Sequence, residues 1–389
     1  MKFTCNTAIL QKGINIVEKA ISQRTSLPIL ENLYVETAGD KLKLRGNDLE
    51  IGIEASIDIE SIEKDGTCLL NAKTISNIVS KLPNQNITIE VSENNQVSVK
   101  GNKNVDFDIL SLSTEEYPVF PEITQGSEIT VDIQELKNQI KHTIFAVSFD
   151  DTKQFLKGIL IESEASKLTF VATDGYRLAM RQTKIDSQNS KVSVIVPFKA
   201  MNELNKIIQS SNADETVKII FSENQVAFLK DDFVLISRVI QGKFPDYSQV
   251  IPSEINNQFK LPRRSLLEAA ERASIIAVAS NNVVRLHFDS NSLEINAVAS
   301  SLGKFKEAID ISQEKGSDVS KIAFNVRLIL DSVKNLETDD LIIEFNNELS
   351  PCVIRPISQD DYIYVIMPIR TSDFQDVAEQ SDSSTEQSI

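Results

Sequence analysis

The sequence has few of the residues that disulfide bonding, metal binding and acid–base catalysis most often use. Its 389 residues include three cysteines and two histidines. Cys5, Cys68 and Cys352 are odd in number and far apart, so they indicate neither a disulfide framework nor a zinc site. We expect them to be small buried residues of a protein from the reducing cytoplasm. His142 and His287 lie in different parts of the chain and are expected to be structural or exposed.

The motifs of common enzyme classes are also absent. The sequence contains no G-x-x-x-x-G-K-[ST] phosphate loop, no G-x-S-x-G nucleophile elbow and no H-E-x-x-H metal helix. We therefore expect neither a catalytic site nor a cofactor. Adjacent aspartates can in principle hold Mg²⁺, but their places between strands or after helices favour turns. These pairs are Asp150–Asp151, Asp231–Asp232, Asp339–Asp340 and Asp360–Asp361.

Long apolar segments are lacking as well. No run reaches the roughly 18 apolar residues that a membrane-spanning helix requires. The first residues lead directly into an alternating pattern, without the apolar core of a signal peptide. The 41% hydrophobic content fits a soluble globular protein, and the length suggests two to four domains.

The sequence does contain an internal repeat. Helical patterns begin at Lys73, Lys199 and Asn325, each after an apolar strand, and these starts lie 126 positions apart. The dipeptide Tyr117–Pro118 returns at a similar spacing as Phe244–Pro245 and again as Met367–Pro368. An ordered series of landmarks at one spacing indicates three copies of one domain.

Each copy is itself doubled, because two helical windows separated by short alternating strands occur in every copy. In the first window, Leu10, Ile14, Val17 and Ile21 recur at the spacing of one helix face. We predict an α+β fold of three tandem domains, each a doubled helix-plus-antiparallel-sheet unit. The helical windows are 8–21, 73–82, 135–145, 199–208, 263–272 and 326–336. The predicted domains are 1–124, 128–252 and 257–371, followed by a disordered acidic tail at 372–389.

Charge is distributed unevenly between the helices and the rest of the chain. The net charge is −16, yet the six helical windows hold 13 Lys or Arg against six acidic residues. If the helices line one surface, that surface is basic and suits sequence-independent, salt-sensitive contacts to phosphates. The alternative is that helices simply carry lysine at solvated positions. The candidate phosphate contacts on these helices are Lys12, Lys73, Lys81, Lys137, Lys141, Lys199 and Lys206.

The segment from Val171 to Met180 carries the strongest local signal. An apolar strand precedes Asp174–Gly175, a dipeptide that favours a two-residue hairpin because both residues tolerate positive φ. Tyr176 and Arg177 then stand beside the turn next to the apolar Leu178. Taken alone, the segment also fits an ordinary hairpin with an exposed arginine.

In its repeat, its charge distribution and several motifs, the chain resembles the bacterial sliding clamps, the beta subunits of DNA polymerase III. The resemblance covers residues 1 to about 371. Its motifs are Met1–Thr4, Leu27–Leu30, Thr173–Leu178, Gly242–Tyr247 and Tyr364–Arg370.

The resemblance implies a DNA processivity factor that is not an enzyme. Two copies would form a head-to-tail ring of six domains around duplex DNA, with twelve helices lining the hole, and would tether the replicative polymerase. A cleft between the second and third domains would receive short peptide motifs of the polymerase, the clamp loader and repair proteins. By matched position, this cleft is formed by Leu156, Thr173, Gly175, Tyr176, Arg177, Leu178, Pro245, Val250, Val365, Ile366, Met367, Pro368, Ile369 and Arg370.

Side-chain chemistry supports these matched positions. Leu178, Val250, Val365, Ile366 and Met367 are expected to form an apolar floor, and Arg177 to hold the polar end of the peptide. For DNA, the resemblance adds contacts from Arg24, Lys153, Gln154 and Phe155 to the helix lysines. At the subunit interface, it implies that Phe107 and Ile109 of one copy meet Ile275 and Ile276 of the other.

The sequence departs from the family pattern in three places. Tyr176 stands where many members have His, and Gln249 where some have a basic residue. The acidic tail extends beyond the usual ending, and we hypothesise that it folds over a cleft or a basic surface. Two other functions fit parts of the sequence: a Mg²⁺-dependent nuclease using the aspartate pairs, and a repeat scaffold that binds only proteins.

Overall fold

Helices and antiparallel strands alternate along the chain in the computed structural model, which describes residues 1–22, 26–101, 105–123, 125–185, 191–316, 320–357 and 361–371. These residues contain six α-helices and 26 β-strands, and the predicted α+β class is confirmed. The predicted tail at 372–389 lies outside the described residues. No helix in the described part of the chain combines the length and hydrophobicity needed to cross a membrane.

The elements follow one order six times: a strand, a helix, then three or four strands. The first copy comprises β1 (Lys2–Asn6), α1 (Thr7–Val17), β2 (Asn32–Ala38), β3 (Lys41–Asn47), β4 (Ile51–Asp58), β5 (Ser61–Lys64), β6 (Thr67–Asn71), α2 (Ala72–Lys81), β7 (Asn86–Val91), β8 (Gln96–Lys100) and β9 (Asp106–Leu112). The second comprises β10 (Ser127–Asp132), α3 (Ile133–Lys141), β11 (Gly158–Glu164), β12 (Lys167–Thr173), β13 (Arg177–Lys184), β14 (Val192–Pro197), α4 (Phe198–Ile208), β15 (Thr216–Phe221), β16 (Gln225–Lys230) and β17 (Phe233–Arg238). The third comprises β18 (Asn257–Pro262), α5 (Arg263–Ala277), β19 (Val283–Phe288), β20 (Ser292–Ala299), β21 (Gly303–Asp310), β22 (Ser312–Lys315), β23 (Ser320–Asn325), α6 (Val326–Asn335), β24 (Asp340–Phe345), β25 (Cys352–Pro356) and β26 (Tyr362–Ile366).

The helices begin where a short polar side chain or a proline ends the preceding strand. The side chains of Asn6, Asn71 and Asn325 accept hydrogen bonds from first-turn amides at 2.9 to 3.0 Å. Asp132 does the same for α3, and its Oδ1 accepts from Gln134 N at 2.8 Å. Such caps stabilise a helix by about 1 kcal/mol each. The repeated strand-to-helix junctions therefore follow from local sequence.

The first helix is shorter than predicted, and the fifth is longer. Leu10, Ile14 and Val17 are buried on one face of α1 as expected. However, the α-helix ends at Val17 and continues as a single 3-10 turn, so Ile21 is not helical. Helix α5 extends to Ala277, five residues beyond its window, because Ala273 and Ala277 continue its buried face.

The described chain divides into two compact units that do not follow the repeat boundaries. The first contains residues 1–137, 161–167 and 184–241, and the second contains 138–160, 168–183 and 242–371. In the first unit, one antiparallel sheet runs in the order β10-β15-β16-β17-β4-β3-β2-β6-β9-β8-β7-β1-β5. Strand β17 of the second copy pairs there with β4 of the first, with Ser237 opposite Ile51.

The second unit has the same kind of junction. Strand β13 of the second copy pairs with β26 of the third, with Arg177 opposite Ile366 and Leu178 opposite Val365. The sheet continues from β26 through β25, β24 and β18 to β22, and a separate sheet has the order β21-β20-β19-β23. In each unit, strands from two copies of the repeat thus belong to one continuous sheet.

The cysteines and one aspartate pair occupy structural positions. All three cysteines are free and buried, as expected. Burial raises the pKa of the Cys5 and Cys68 thiols to about 12, which keeps them protonated. Asp231–Asp232 forms the turn between β16 and β17. Among the described residues, which exclude Asp360, no cluster of three metal-ligating side chains occurs.

Candidate functional site

An apolar recess of about 140 Å³ lies in the second unit, beside the β13–β26 ladder. Nine of the fourteen residues predicted for the peptide cleft line it, together with Asp246 and Tyr247, which were not predicted. The nine are Leu156, Thr173, Gly175, Arg177, Leu178, Pro245, Val250, Val365 and Met367. Residues from four separate segments of the chain therefore meet at one place.

The floor of the recess is aliphatic. Leu156, Leu178 and Val365 are buried, and the last two are direct partners across the β13–β26 ladder. Val250 and Met367 stand at the rim, each 37% exposed. Buried apolar walls with an adaptable methionine at the edge suit Leu or Phe side chains of a bound peptide.

Ile366 does not belong to this floor, contrary to the prediction. Its side chain is fully buried, and it does not line the recess. Successive side chains of a strand point to opposite faces of the sheet. Because Val365 faces the recess, the neighbouring Ile366 faces away from it. Of the other predicted residues, Tyr176 and Arg370 are exposed, whereas Pro368 and Ile369 are half-buried.

The loop that closes one side of the recess contains three residues, not the predicted two. Strand β12 ends at Thr173 and β13 begins at Arg177. The Asp174 carboxylate accepts hydrogen bonds from the amides of Tyr176 at 2.9 Å and Arg177 at 3.0 Å, which holds the extra residue in place. Only Gly175 adopts a positive φ, of 93°.

Arg177 anchors this loop from within. Its Nε donates to Asp174 Oδ2 at 3.0 Å, NH1 to Asp331 Oδ2 at 2.5 Å and NH2 to Phe145 O at 2.6 Å. Burial opposes the charge, but Tyr364 and the two carboxylates outweigh burial and raise the pKa of the guanidinium. The Arg177 side chain is only 10% exposed. Arg177 lines the recess, but its guanidinium is already engaged by the loop and by Asp331, so its contact with the polar end of a peptide stays a prediction.

Two further segments fix the rim. Met367 N donates to Tyr176 O at 2.9 Å, so the residue after β26 extends the ladder along the loop. Opposite, Asp246 caps the 3-10 helix Tyr247–Val250 and accepts from Ser248 Oγ at 2.6 Å. Hydrogen bonds from Ser248 and Gln249 lower the pKa of the Asp246 carboxyl. In the sequence, the Phe-Pro-Asp-Tyr motif at residues 244–247 was the feature that could have identified Asp246 and Tyr247 as part of the site.

The predicted phosphate-binding lysines fall into two groups. Lys73 and Lys81 are exposed on α2, and within the described residues neither forms an ion pair. The others are engaged: Lys12 with Asp232, Lys141 with Glu337, Lys199 with Asp48, Lys206 with Glu203, and Lys137 with the carbonyls of Gln209 and Ser211. Apart from Glu203, which is three residues from Lys206, these partners lie far along the sequence, and counting charges could not reveal them. Arg24 lies outside the described residues.

The other predicted contacts stand at or near the surface. Lys153 and Phe155 are half-buried, whereas Gln154 is exposed and donates to Asp151 O at 2.9 Å. For the predicted interface, Phe107 is exposed and Ile109 half-buried on β9. On α5, Ile275 is exposed and Ile276 half-buried. Leu110 and Leu112, which were not predicted, add exposed apolar surface to β9.

Comparisons with known proteins agree along almost the whole chain. The models for the N-terminal, central and C-terminal domains of the DNA polymerase III beta subunit match residues 1–121, 130–246 and 248–370, which confirms three tandem copies. The beta sliding clamps of Bacillus subtilis and Staphylococcus aureus are 33% and 31% identical in sequence to this chain. Each match covers 95% of this chain and 100% of the relative.

Solved structures give the same result. The sliding clamp of B. subtilis superposes with a TM-score of 0.88 at 32% identity, over 95% of this chain and 99% of the other. The clamp of Pseudomonas aeruginosa bound to griselimycin superposes with a TM-score of 0.90 at 28% identity, over 95% of this chain and 100% of the other.

Proposed function

We propose that this chain, which belongs to the DNA polymerase III beta subunit family of sliding clamps, closes into a two-copy ring around duplex DNA and recruits partners through the recess beside β13 and β26. The family consists of processivity factors, not enzymes. The observation that carries the partner proposal is the aliphatic recess, because it combines a buried floor, an adaptable rim and a rigid loop. The expected occupants are short motifs of the replicative polymerase, the clamp loader and repair proteins.

The ring proposal uses a head-to-tail interface between identical copies. A heterologous interface whose rotation closes generates a ring and leaves no unpaired end. Exposed apolar side chains at Phe107 on β9 and Ile275 on α5 provide two different patches of the kind that such an interface joins. We assign the three domains to 1–124, 128–252 and 257–371, a division supported by the repeated element order. The buried free thiols favour a reducing cytoplasm as the place of action.

Replacing Met367 with Lys tests the recess. We expect at least about a tenfold loss of affinity for a fluorescent Gln-Leu-x-Leu-Phe peptide, because the new charge must be desolvated beside an apolar side chain. Fluorescence anisotropy with the full chain gives the affinity. Ile9→Lys in α1 is the matched control, since Ile9 is 41% exposed and Met367 is 37% exposed. Equal affinities for the two variants would remove the recess from the proposal.

Reversing the charges of Lys73 and Lys81 tests the DNA surface. Each lysine that contacts a phosphate releases a counterion, so the slope of log affinity against log salt should fall by about two. At about 50 mM salt, we expect at least about a tenfold loss of duplex affinity. Salt titrations by anisotropy with labelled duplex DNA provide both values.

The control is the pair Lys64→Glu and Lys100→Glu, which changes the net charge equally at exposed strand positions of the same unit. A general electrostatic effect would weaken DNA binding equally in both double variants. A scaffold that binds only proteins would show no measurable affinity for the duplex in any of them.

A further inference from the structure

The backbone construction around the candidate cleft occurs a second time, in the first unit. Asp48 Oδ1 accepts from the amides of Glu50 at 2.9 Å and Ile51 at 2.8 Å, as Asp174 does in its own loop. Leu49 N donates to Asn47 Oδ1 at 2.8 Å, the counterpart of the bond from Gly175 N to Thr173 Oγ1. The loop hydrogen bonds of residues 47–52 therefore match those of residues 173–178.

The strand beside this loop is also equivalent. Ser237 lies opposite Ile51 in the β17–β4 ladder, as Ile366 lies opposite Arg177. Arg238 N donates to Glu50 O at 3.0 Å, matching the bond from Met367 N to Tyr176 O. Ile236 and Arg238 consequently occupy the places that Val365 and Met367 hold in the second unit.

This arrangement encloses a second recess, which we name the β4–β17 recess. It has a volume of about 110 Å³. Its lining residues are Asn47, Leu49, Glu50, Ile51, Gly52, Pro118, Val119, Pro121, Gln225, Ile236 and Arg238. In both recesses, the loop between two strands, the end of the neighbouring strand and a proline-containing segment supply lining residues, whereas Leu156 and Gln225 have no counterpart in the other recess.

Three substitutions give the β4–β17 recess a different chemistry. Gly52 replaces Leu178, and a Cβ there would lie 2.9 Å from Pro121 Cγ and 3.0 Å from Phe120 Cε2, so the chain's own rings occupy the space above the floor. Leu49 replaces Gly175 and adds an apolar side chain at the mouth. Arg238 replaces Met367 and adds a cation. The recess is smaller than the cleft, and Arg238 makes one side of its rim basic.

Several features of the rim point to an external ligand. Leu49 is 44% exposed and Val119 is 92% exposed. Leu49 also has φ of 74°, a left-handed conformation that a branched residue seldom adopts and that concentrates at functional sites. Arg238 is exposed, and in the described part of the chain its guanidinium has neither a hydrogen bond nor an ion pair. The recess thus presents apolar side chains next to an available cation.

We propose that the β4–β17 recess is a second docking site, for a linear peptide that carries a Leu or Phe side chain next to a single carboxylate. Leu49 and Val119 cover the apolar side chain, and the planar Arg238 guanidinium binds the carboxylate through paired hydrogen bonds. Glu50 also lines the recess and disfavours a run of acidic residues. This site goes beyond the partner cleft proposed above and does not depend on it.

Methyl NMR of the full chain, with Leu and Val methyl groups labelled, can observe both sites in one sample. The probe is acetyl-Gly-Leu-Phe-Asp-Gly-amide, added after the other cleft has been saturated with unlabelled Gln-Leu-x-Leu-Phe peptide. We expect saturable shifts of the Leu49 and Val119 methyls at probe concentrations up to about 1 mM, the range of a small exposed site. Replacing the probe's Asp with Asn should weaken binding at least about fivefold.

Two variants complete the test. Arg238→Glu should weaken probe binding at least about fivefold, whereas Lys64→Glu, an exposed charge reversal in the same unit, should not. Leu49→Gly removes the apolar contact and relieves the positive φ, so it tests the site without risk to folding. Probe shifts confined to Leu178 and Val365, or unchanged probe affinity in Arg238→Glu and Leu49→Gly, would overturn the proposal. The shifts caused by the saturating peptide test the first cleft separately.

Discussion

Replacing Arg177 with Ala is expected to lower the free energy of unfolding of the second unit by about 2–3 kcal/mol and to weaken peptide binding at least about tenfold. The side chain is 10% exposed and joins Asp174, Asp331 and the Phe145 carbonyl. Breaking a buried ion pair costs about 3–5 kcal/mol, and the lower figure reflects Asp331, whose side chain is 45% exposed. The loop at residues 174–176 would also lose its anchor beside the recess.

The measurement combines peptide anisotropy with amide hydrogen exchange, because exchange reports the stability of one unit within a larger chain. Arg264→Ala is a matched control, since Arg264 pairs with Glu268 in the same unit but is 85% exposed. It should change stability by less than about 1 kcal/mol. Arg177→Lys keeps the charge but lacks the planar fork, so we expect an intermediate result. Similar losses for Arg177→Ala and Arg264→Ala would contradict the anchoring role.

The second large effect is a loss of stability in acid that depends on His142. Burial, together with the positive charges of Arg181 and Lys141, lowers the pKa of His142 to about 4. Arg181 NH1 lies 2.9 Å from His142 Nδ1, so this nitrogen accepts and the imidazole is neutral. The ring packs on Tyr362, with 4.8 Å between the ring centroids. Glu337 and the Asn335 carbonyl act in the opposite direction but do not restore the usual pKa.

The direction of the pH effect follows from proton binding. An unfolded histidine titrates near pH 6.5, so between pH 6.5 and 4 the unfolded chain binds a proton that the folded chain excludes. Stability is therefore fully present above pH 6.5 and falls as the pH is lowered towards 4, by roughly 3 kcal/mol at most. Below pH 4 this contribution no longer changes.

Urea unfolding at several pH values between 7.5 and 4.5 tests this prediction. In His142→Gln, the decline with acid should be shallower than in the unaltered protein, because the carboxylates that also titrate are the same in both. His287→Gln is the comparison, because burial and the charge of Lys321 also lower the pKa of this 32% exposed side chain, so its substitution should give a smaller change in the same direction. If His142→Gln and the unaltered protein lose stability in parallel, the buried imidazole is not the cause.

The repeat and the helices could be predicted from sequence because both have short-range signals. The face formed by Leu10, Ile14 and Val17 recurs at helical spacing, and Asn71 and Asn325 mark the starts of two helices. By contrast, no local pattern shows that β4 pairs with β17 or β13 with β26. These strands lie more than 170 residues apart, and backbone ladders carry little residue-specific information.

The candidate site was predicted in part. The resemblance located Leu178 and Val365, but the expectation from side-chain chemistry that Ile366 joins the floor overlooked strand alternation, which directs Ile366 to the other face. Charge counting identified the lysines but not their acidic partners, because the Asp48–Lys199 pair joins positions 151 residues apart. Long-range pairing of side chains depends on the fold, and composition cannot reveal it.

The pairing of β13 with β26 also determines when the recess can exist during protein synthesis. Translation proceeds from the N-terminus, so the ribosome makes β13 almost 180 residues before β26. Until Val365 and Met367 have left the ribosome, the recess lacks one wall and β13 has an open edge that can pair with other chains. The partners proposed for this recess therefore cannot bind an incomplete chain there, because the wall supplied by β26 is still missing.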